Sequence, residues 1–98
     1  MTIEKVLNGE SAKIIVAGRL DTQTAPELEK ELDEIISNLK ELTFDMAELE
    51  YISSAGLRVI LKAQKIMNAQ GSMKLTGVND NIMEVFDITG FLDILTIE

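Results

Sequence analysis

The chain has 98 residues, a length that predicts one domain, and its composition of 46% hydrophobic and 27% charged residues is typical of a soluble protein and argues against disorder. No run approaches the 18 or more apolar residues that a membrane span needs. It has no cysteine or histidine, which excludes disulfides, thiol nucleophiles, thiolate or imidazole zinc sites and a Ser-His-Asp triad. The net charge is −8, and so acidic a chain repels phosphate backbones and anionic lipid; we expect no nucleic acid or membrane partner.

Two strands and a helix are predicted in the first part of the chain. Residues 3–7 and 13–17 flank Asn8-Gly9, a pair that favours a tight turn, and so predict an antiparallel hairpin. The segment from Thr24 to Glu27 has the pattern of a capping box, with Thr24 as the N-cap. Apolar residues then recur at helical spacing and predict a helix that continues to the last of them: Leu28, Leu32, Ile35, Ile36 and Leu39.

The middle of the chain predicts a strand, a helix and a further strand. Residues 42–46 alternate between apolar and polar and form the third strand, and residues 48–52 are either a connection or a strand remnant. Residues 56–70 have a helical period, and Gly71 suits the left-handed conformation that often ends a helix. Residues 73–76 are the fourth strand.

The last part of the chain predicts a third helix and a final strand. Asn79 or Asp80 caps the helix, Gly90 ends it, and the strand begins at about Ile94. The predicted order is therefore β-β-α-β-α-β-α-β. Strands separated by helices imply parallel pairing, so we expect a single α/β domain with a mixed, mostly parallel sheet, an N-terminal hairpin and three or more helices.

The loop that enters the middle helix contains two serines and a glycine. Ser53 and Ser54 both lie where a helix N-cap is expected, and serine is a favoured cap because its oxygen accepts a hydrogen bond from a free N–H group. Gly56 in the first turn costs about 0.5–1 kcal/mol relative to alanine. Either tight packing on the sheet or the close approach of a partner would require the missing side chain.

The same helix has a basic stripe next to two leucines. Arg58, Lys62 and Lys65 cluster on one arc of the helical wheel, and Leu57 and Leu61 lie between that arc and the core face. Two arrangements are open for the leucines. They form a half-exposed apolar strip with a charged rim, as in a modest protein interface, or they pack under a neighbouring element.

Three segments resemble the STAS family of anti-sigma factor antagonists. The run from Asp45 to Leu61, which contains Tyr-Ile-Ser-Ser-Ala-Gly-Leu-Arg, is similar to the signature in which a serine turn opens a helix. Gly18-Arg-Leu-Asp21 before the Thr24 helix, and Val85-Phe86 through Gly90-Phe91-Leu92, resemble two further elements of that family. The three occur in the family's order over nearly the whole chain.

The resemblance implies a partner and a switch. Such proteins bind an anti-sigma factor that is a serine kinase; phosphorylation of one serine releases that kinase, and a metal-dependent phosphatase of the PP2C type reverses it. By position the phosphoacceptor is Ser54, and Asp21 and Asp45 flank it. No cofactor is implied, and the location is cytoplasmic. The predicted partner-binding residues are Asp21, Thr24, Ser53, Ser54, Gly56, Leu57, Arg58, Leu61 and Lys62.

The sequence departs from the family at the acceptor. Ser53 stands where an aspartate is usual and Ala55 where serine or threonine is usual, so Ser53 is a second candidate acceptor, and a chain without phosphorylation is a further alternative. Two other functions stay open: a nucleotide- or ligand-sensing module, for which no glycine-rich phosphate loop is present, and a structural subunit of a signalling assembly. An enzyme is not expected, because the carboxylates have no third chemical group beside them.

Overall fold

The computed structural model describes all 98 residues, Met1 to Glu98. The chain begins with a hairpin of two strands, and helices and strands then alternate, so that the domain has four strands and three helices. Their bounds are β1 Thr2–Asn8, β2 Ser11–Leu20, α1 Ala25–Asp33, β3 Glu41–Ile52, α2 Ser54–Gln70, β4 Ser72–Thr76 and α3 Asp80–Ile88. Short 3-10 turns follow α1 and α3, at Ile36–Asn38 and Phe91–Asp93. No helix has the length and apolar character needed to cross a membrane.

The strands form one mixed sheet in the order β1-β2-β3-β4. β1 pairs with β2 antiparallel through a turn in which Gly9 has a positive φ of 62°, a conformation that glycine adopts readily. β2, β3 and β4 are parallel, with α1 and α2 as the crossovers. The predicted α/β class, hairpin and mixed, mostly parallel sheet are confirmed.

The core lies on one face of the sheet. Ile14, Phe44 and Leu75 are fully buried, whereas alternate residues such as Lys13 and Lys74 are exposed, so only one face is covered. The 24 buried hydrophobic residues form a single cluster that includes side chains of all three helices. The helices therefore share one face, and the carboxyl ends of β2 and β3 meet at one edge of the sheet.

The first helix is shorter than predicted; Thr24 stands at its N-cap position, as predicted, but the predicted capping box does not form. Thr24 makes no capping hydrogen bond. Its Oγ1 donates to the carbonyl of Arg19 (2.8 Å) and accepts from the N–H of Asp21 (2.8 Å), so it closes the preceding turn instead. The α-helix ends at Asp33, and the last two predicted positions, Ile36 and Leu39, are buried beyond it.

The third strand is longer than predicted and the final strand is nearly absent. Residues 48–52 continue β3 past irregularities in its pairing with β2, so they are neither a connection nor a remnant. The predicted strand from Ile94 is reduced to one bridge between Ile97 and Leu75. Gly90 takes a left-handed conformation (φ 81°), and the 3-10 turn Phe91–Asp93 that follows occupies residues just before the predicted strand.

Candidate functional site

The start of α2 is fixed to the edge of the sheet where β2 and β3 end. Leu20 pairs with Ile52 as the last register position of the two strands. The N–H of Ser53 donates to the carbonyl of Leu20 at 2.8 Å, which continues the pairing by one more hydrogen bond. The serine turn therefore follows directly from the sheet, and the loop that begins at Asp21 starts beside it.

The two serines have different roles in the structure. Ser53 is half-buried and is the N-cap of α2: its Oγ accepts a hydrogen bond from the N–H of Gly56 at 3.3 Å. Ser54 is the first helical residue and is exposed, and its hydroxyl makes no hydrogen bond within the chain. The structure thus leaves the Ser54 hydroxyl free for chemistry and uses the Ser53 hydroxyl to begin the helix.

Gly56 is required by packing within the chain. A Cβ at Gly56 would lie 2.6 Å from Cγ of Leu20 and 2.9 Å from Cγ1 of Ile52, closer than real Cβ atoms approach. The residue is buried. Of the two explanations for this glycine, tight packing of α2 on the sheet is the one that the structure supports.

Of the two arrangements left open for the leucines, Leu57 takes the packed one, so its predicted role in a half-exposed partner-binding strip is wrong. Its side chain is only 7% exposed and belongs to the core cluster, so it offers almost no surface to a partner. Leu61, one turn further, is half-buried, as predicted. The apolar strip therefore reduces to Leu61, because the neighbouring elements cover the flank of α2 on which Leu57 lies.

The basic residues of α2 also differ in whether they are available to a partner. Lys62 donates hydrogen bonds to Oε2 of Glu29 (2.8 Å) and Oδ1 of Asp33 (3.1 Å), which ties α2 to α1. These bonds, the one to Glu29 first, raise the pKa of the Lys62 ammonium group. Arg58 is exposed and forms no ion pair. Arg58 is therefore the available cation near Ser54, and Lys62 is already neutralised.

The loop from Asp21 to Thr24 lies next to the serine turn and is closed by its own hydrogen bonds. Oδ1 of Asp21 accepts hydrogen bonds from the N–H groups of Gln23 and Thr24, both at 3.0 Å. The bond from the Thr24 N–H is the main cause that lowers the pKa of the Asp21 carboxyl group, and the charge of Arg19 acts in the same direction. Asp21 thus presents a fixed negative charge at this edge of the sheet.

Asp45 lies away from the serine turn. It is in the middle of β3, paired with Ile15 and Thr76, and its carboxylate is 3.6 Å from the ammonium group of Lys13. Seven residues of β3, Met46 to Ile52, separate it from Ser53, a distance of roughly 20 Å. The expectation that Asp45 flanks the phosphoacceptor is therefore wrong, whereas Asp21 does lie at the site.

Sequence reasoning missed a pair of side chains at the same edge. Arg19 and Tyr51 are register partners on β2 and β3, and the guanidinium carbon lies 4.1 Å from the centre of the tyrosine ring. Tyr51 is 40% exposed. The signal available beforehand was the parallel pairing of the two strands, but the irregular register of β3 hid which residues are opposite each other.

Comparison with known proteins assigns the family. Residues 3–98 match the STAS domain. An anti-sigma-B factor antagonist from Listeria monocytogenes is 36% identical over 89 residues, which are 87% of this chain and 76% of that protein. The chain belongs to the STAS domain family, in agreement with the resemblance of its motifs.

Solved structures have the same fold. The anti-sigma factor antagonist SpoIIAA in its unphosphorylated form superposes with a TM-score of 0.85 at 16% identity, covering 99% of this chain and 88% of that one. The phosphorylated form of SpoIIAA, a cell fate determinant of Bacillus, gives a TM-score of 0.78 at 16% identity, with 99% and 91% covered. The four-stranded sheet and its helices therefore have the same fold as these two structures.

Proposed function

We propose that the protein is an anti-sigma factor antagonist that binds an anti-sigma serine kinase and is switched off by phosphorylation of Ser54. The observation that carries this proposal is the exposed, unbonded Ser54 hydroxyl at the first position of α2. The relative from Listeria monocytogenes is an anti-sigma-B factor antagonist, and SpoIIAA has an unphosphorylated and a phosphorylated form. Family and site support the same function.

The geometry favours Ser54 over Ser53 as the acceptor. A kinase has to bring the hydroxyl into line with the γ-phosphate of ATP, which requires an oxygen that a second protein can reach. The Ser54 hydroxyl is exposed, whereas Ser53 is half-buried and its oxygen holds the N–H of Gly56. Phosphorylation of Ser53 would therefore first break the cap of α2.

Phosphoryl transfer would change the charge of the docking surface. The bond between Ser54 Oγ and the γ-phosphorus forms, the bond from that phosphorus to the β–γ bridging oxygen breaks, ADP leaves, and a base of the kinase takes the hydroxyl proton. The serine gains about −1.5 to −2 charge. A partner face that fits a neutral hydroxyl would have to desolvate this dianion, and a cost of a few kcal/mol weakens binding by about a hundredfold or more.

The fold should tolerate the phosphate. Free N–H groups and the dipole of the 17-residue helix α2 favour an anion at its first turn. The switch would therefore act on the partner surface and not by unfolding the domain. A PP2C-type phosphatase that hydrolyses the phosphoserine would restore binding, and the cycle would take place in the cytoplasm.

Mass measurement after incubation with the cognate anti-sigma kinase and ATP tests the acceptor. We expect one added phosphate on the natural chain and on Ser53→Ala, and none on Ser54→Ala. A phosphate that persists on Ser54→Ala, or no phosphate on any variant, would contradict the proposal, and the latter would favour an unphosphorylated subunit.

Affinity measurements test the switch. Ser54→Ala should bind the kinase like the natural chain, because the neutral surface is kept, whereas Ser54→Asp should bind more weakly without a fall in melting temperature. Isothermal calorimetry and thermal unfolding of the two variants provide this comparison. Equal affinity of Ser54→Asp and Ser54→Ala would show that charge at this position does not control binding.

A further inference from the structure

Helix α2 carries one free positive charge close to Ser54. It holds three of the nine basic residues of the chain and none of its 17 acidic residues. Lys62 is paired with α1, whereas Arg58 and Lys65 are exposed and form no ion pair. Arg58 is therefore a free guanidinium group one helical turn after the proposed phosphoacceptor.

The i, i+4 spacing of Ser54 and Arg58 on α2 places the two residues on the same helix face. Residues four apart lie on the same helix face with Cβ atoms about 5–6 Å apart. Long helical side chains point back towards the N-terminus, so the residue at position i+4 covers the preceding turn. An anion placed N-terminal to a cation at this spacing is the more favourable order of the pair.

No carboxylate within the chain competes for Arg58. Glu29 lines the same shallow recess between α1 and α2, but its carboxylate is already bound to Lys62 at 2.8 Å. The Asp21 carboxylate accepts two backbone N–H groups of its own loop, and its cation is Arg19, at 4.0 Å. The ion pair between Lys62 and Glu29 thus leaves the guanidinium group of Arg58 unoccupied.

We propose that Arg58 binds the phosphate of phosphorylated Ser54 across one turn of α2; this inference rests on the proposed modification of Ser54. The planar guanidinium group can donate two parallel hydrogen bonds to phosphate oxygens, and the free N–H groups of the first turn add to the same site. Phosphorylation then has two effects on the docking surface, because it adds a dianion and withdraws a cation from any acidic group of the partner.

Chain prepared with phosphoserine incorporated at position 54 during synthesis tests this contact without any kinase. Phosphorus NMR gives the second pKa of the phosphate, about 6 in a free phosphoserine. We expect this pKa to be lower in the natural chain than in Arg58→Gln by roughly 0.3 to 0.7, the range for a charge-assisted pair at this spacing. The Nε–H resonance of Arg58 should also shift between the unphosphorylated and phosphorylated forms.

The matched control is Lys65→Gln, which removes the same charge from the same helix. Lys65 lies about 16 Å along the helix axis from Ser54, beyond the Debye length of about 10 Å at 0.1 M salt, so its loss should leave the phosphate pKa unchanged. Equal phosphate pKa values in the natural chain and Arg58→Gln would overturn the inference. Because the phosphate is installed synthetically, that result is independent of whether a kinase modifies Ser54.

Discussion

The first turn of α2 has an inner side, which packs on the sheet, and an outer side, which is exposed. On the inner side, Ser53 caps the helix, Gly56 lies against β2 and β3, and Leu57 is in the core. On the outer side, Ser54 and Arg58 are exposed and unbonded. One short motif therefore both attaches the helix to the sheet and presents the functional surface, so changes on the inner side should affect stability and changes on the outer side should affect binding.

The largest expected effect distinguishes the two leucines. Leu57→Ala removes a 7% exposed core side chain and should lower the free energy of unfolding by about 2–5 kcal/mol. Leu61→Ala is the matched control at a half-buried position, and it should lower the free energy of unfolding by clearly less. Urea unfolding of both variants measures the difference. Equal losses would mean that the inner and outer sides are not distinct at this helix.

The next effect concerns the contact of α2 with the sheet. Gly56→Ala lowers the conformational entropy of the unfolded chain, which would raise the free energy of unfolding by about 0.5–1 kcal/mol. However, the new methyl group would lie 2.6 Å from Leu20 Cγ. Because this contact is too close, we expect a net loss of about 1–2 kcal/mol in the free energy of unfolding. Thermal unfolding measures this loss. If the clash is the cause, Leu20→Ala should reduce the cost of the alanine in a double-mutant cycle, and strict additivity would argue against it.

The parts of the fold that follow from short-range periodicity could be predicted from the sequence. Alternation at residues 42–46 and the helical period of residues 56–70 identify β3 and α2, because side-chain direction repeats every 2 residues in a strand and every 3.6 in a helix. The position of the serine turn follows in the same way, because it is the junction between those two periods. Motif resemblance then singled out Ser54.

The errors arose where distant parts of the chain decide the outcome. Thr24 has the spacing of a cap, but the carbonyl of Arg19, held by β2, captures its hydroxyl. Leu57 lies on the border of the helical wheel, and only the neighbouring elements determine that it is buried. Arg58 has no carboxylate partner because Lys62 forms an ion pair with Glu29 of α1, and helix spacing alone does not show this ion pair.

A smaller effect separates the two adjacent serines. Ser53→Ala removes the cap of α2 and should cost about 1 kcal/mol, whereas Ser54→Ala should change stability by less than about 0.5 kcal/mol. Chemical unfolding at neutral pH measures both. Ser53→Asp is the informative control, because aspartate also caps helices and should retain most of the stability. A larger loss for Ser54→Ala would reverse the assignment of inner and outer serine.

The smallest effect tests the loop beside the serine turn through its pH dependence. The hydrogen bond from the Thr24 N–H lowers the pKa of Asp21 below its ordinary value, so the folded state favours the carboxylate more than the unfolded state does. This contribution is fully present above the unfolded pKa of about 3.9 and is lost as the pH falls through the lower folded value.

Asp21→Asn cannot carry that charge, so its stability should differ most from that of the natural chain near pH 6, and the difference should shrink as the pH falls below about 4. Urea unfolding of both proteins between pH 6 and pH 2.5 measures this gap. Because Asp21 is partly exposed, salt should reduce the gap as well. A gap that is constant over the whole pH range would mean that the hydrogen bonds of the loop do not depend on the charge of Asp21, and the loop would then hold its shape beside α2 without offering a fixed anion.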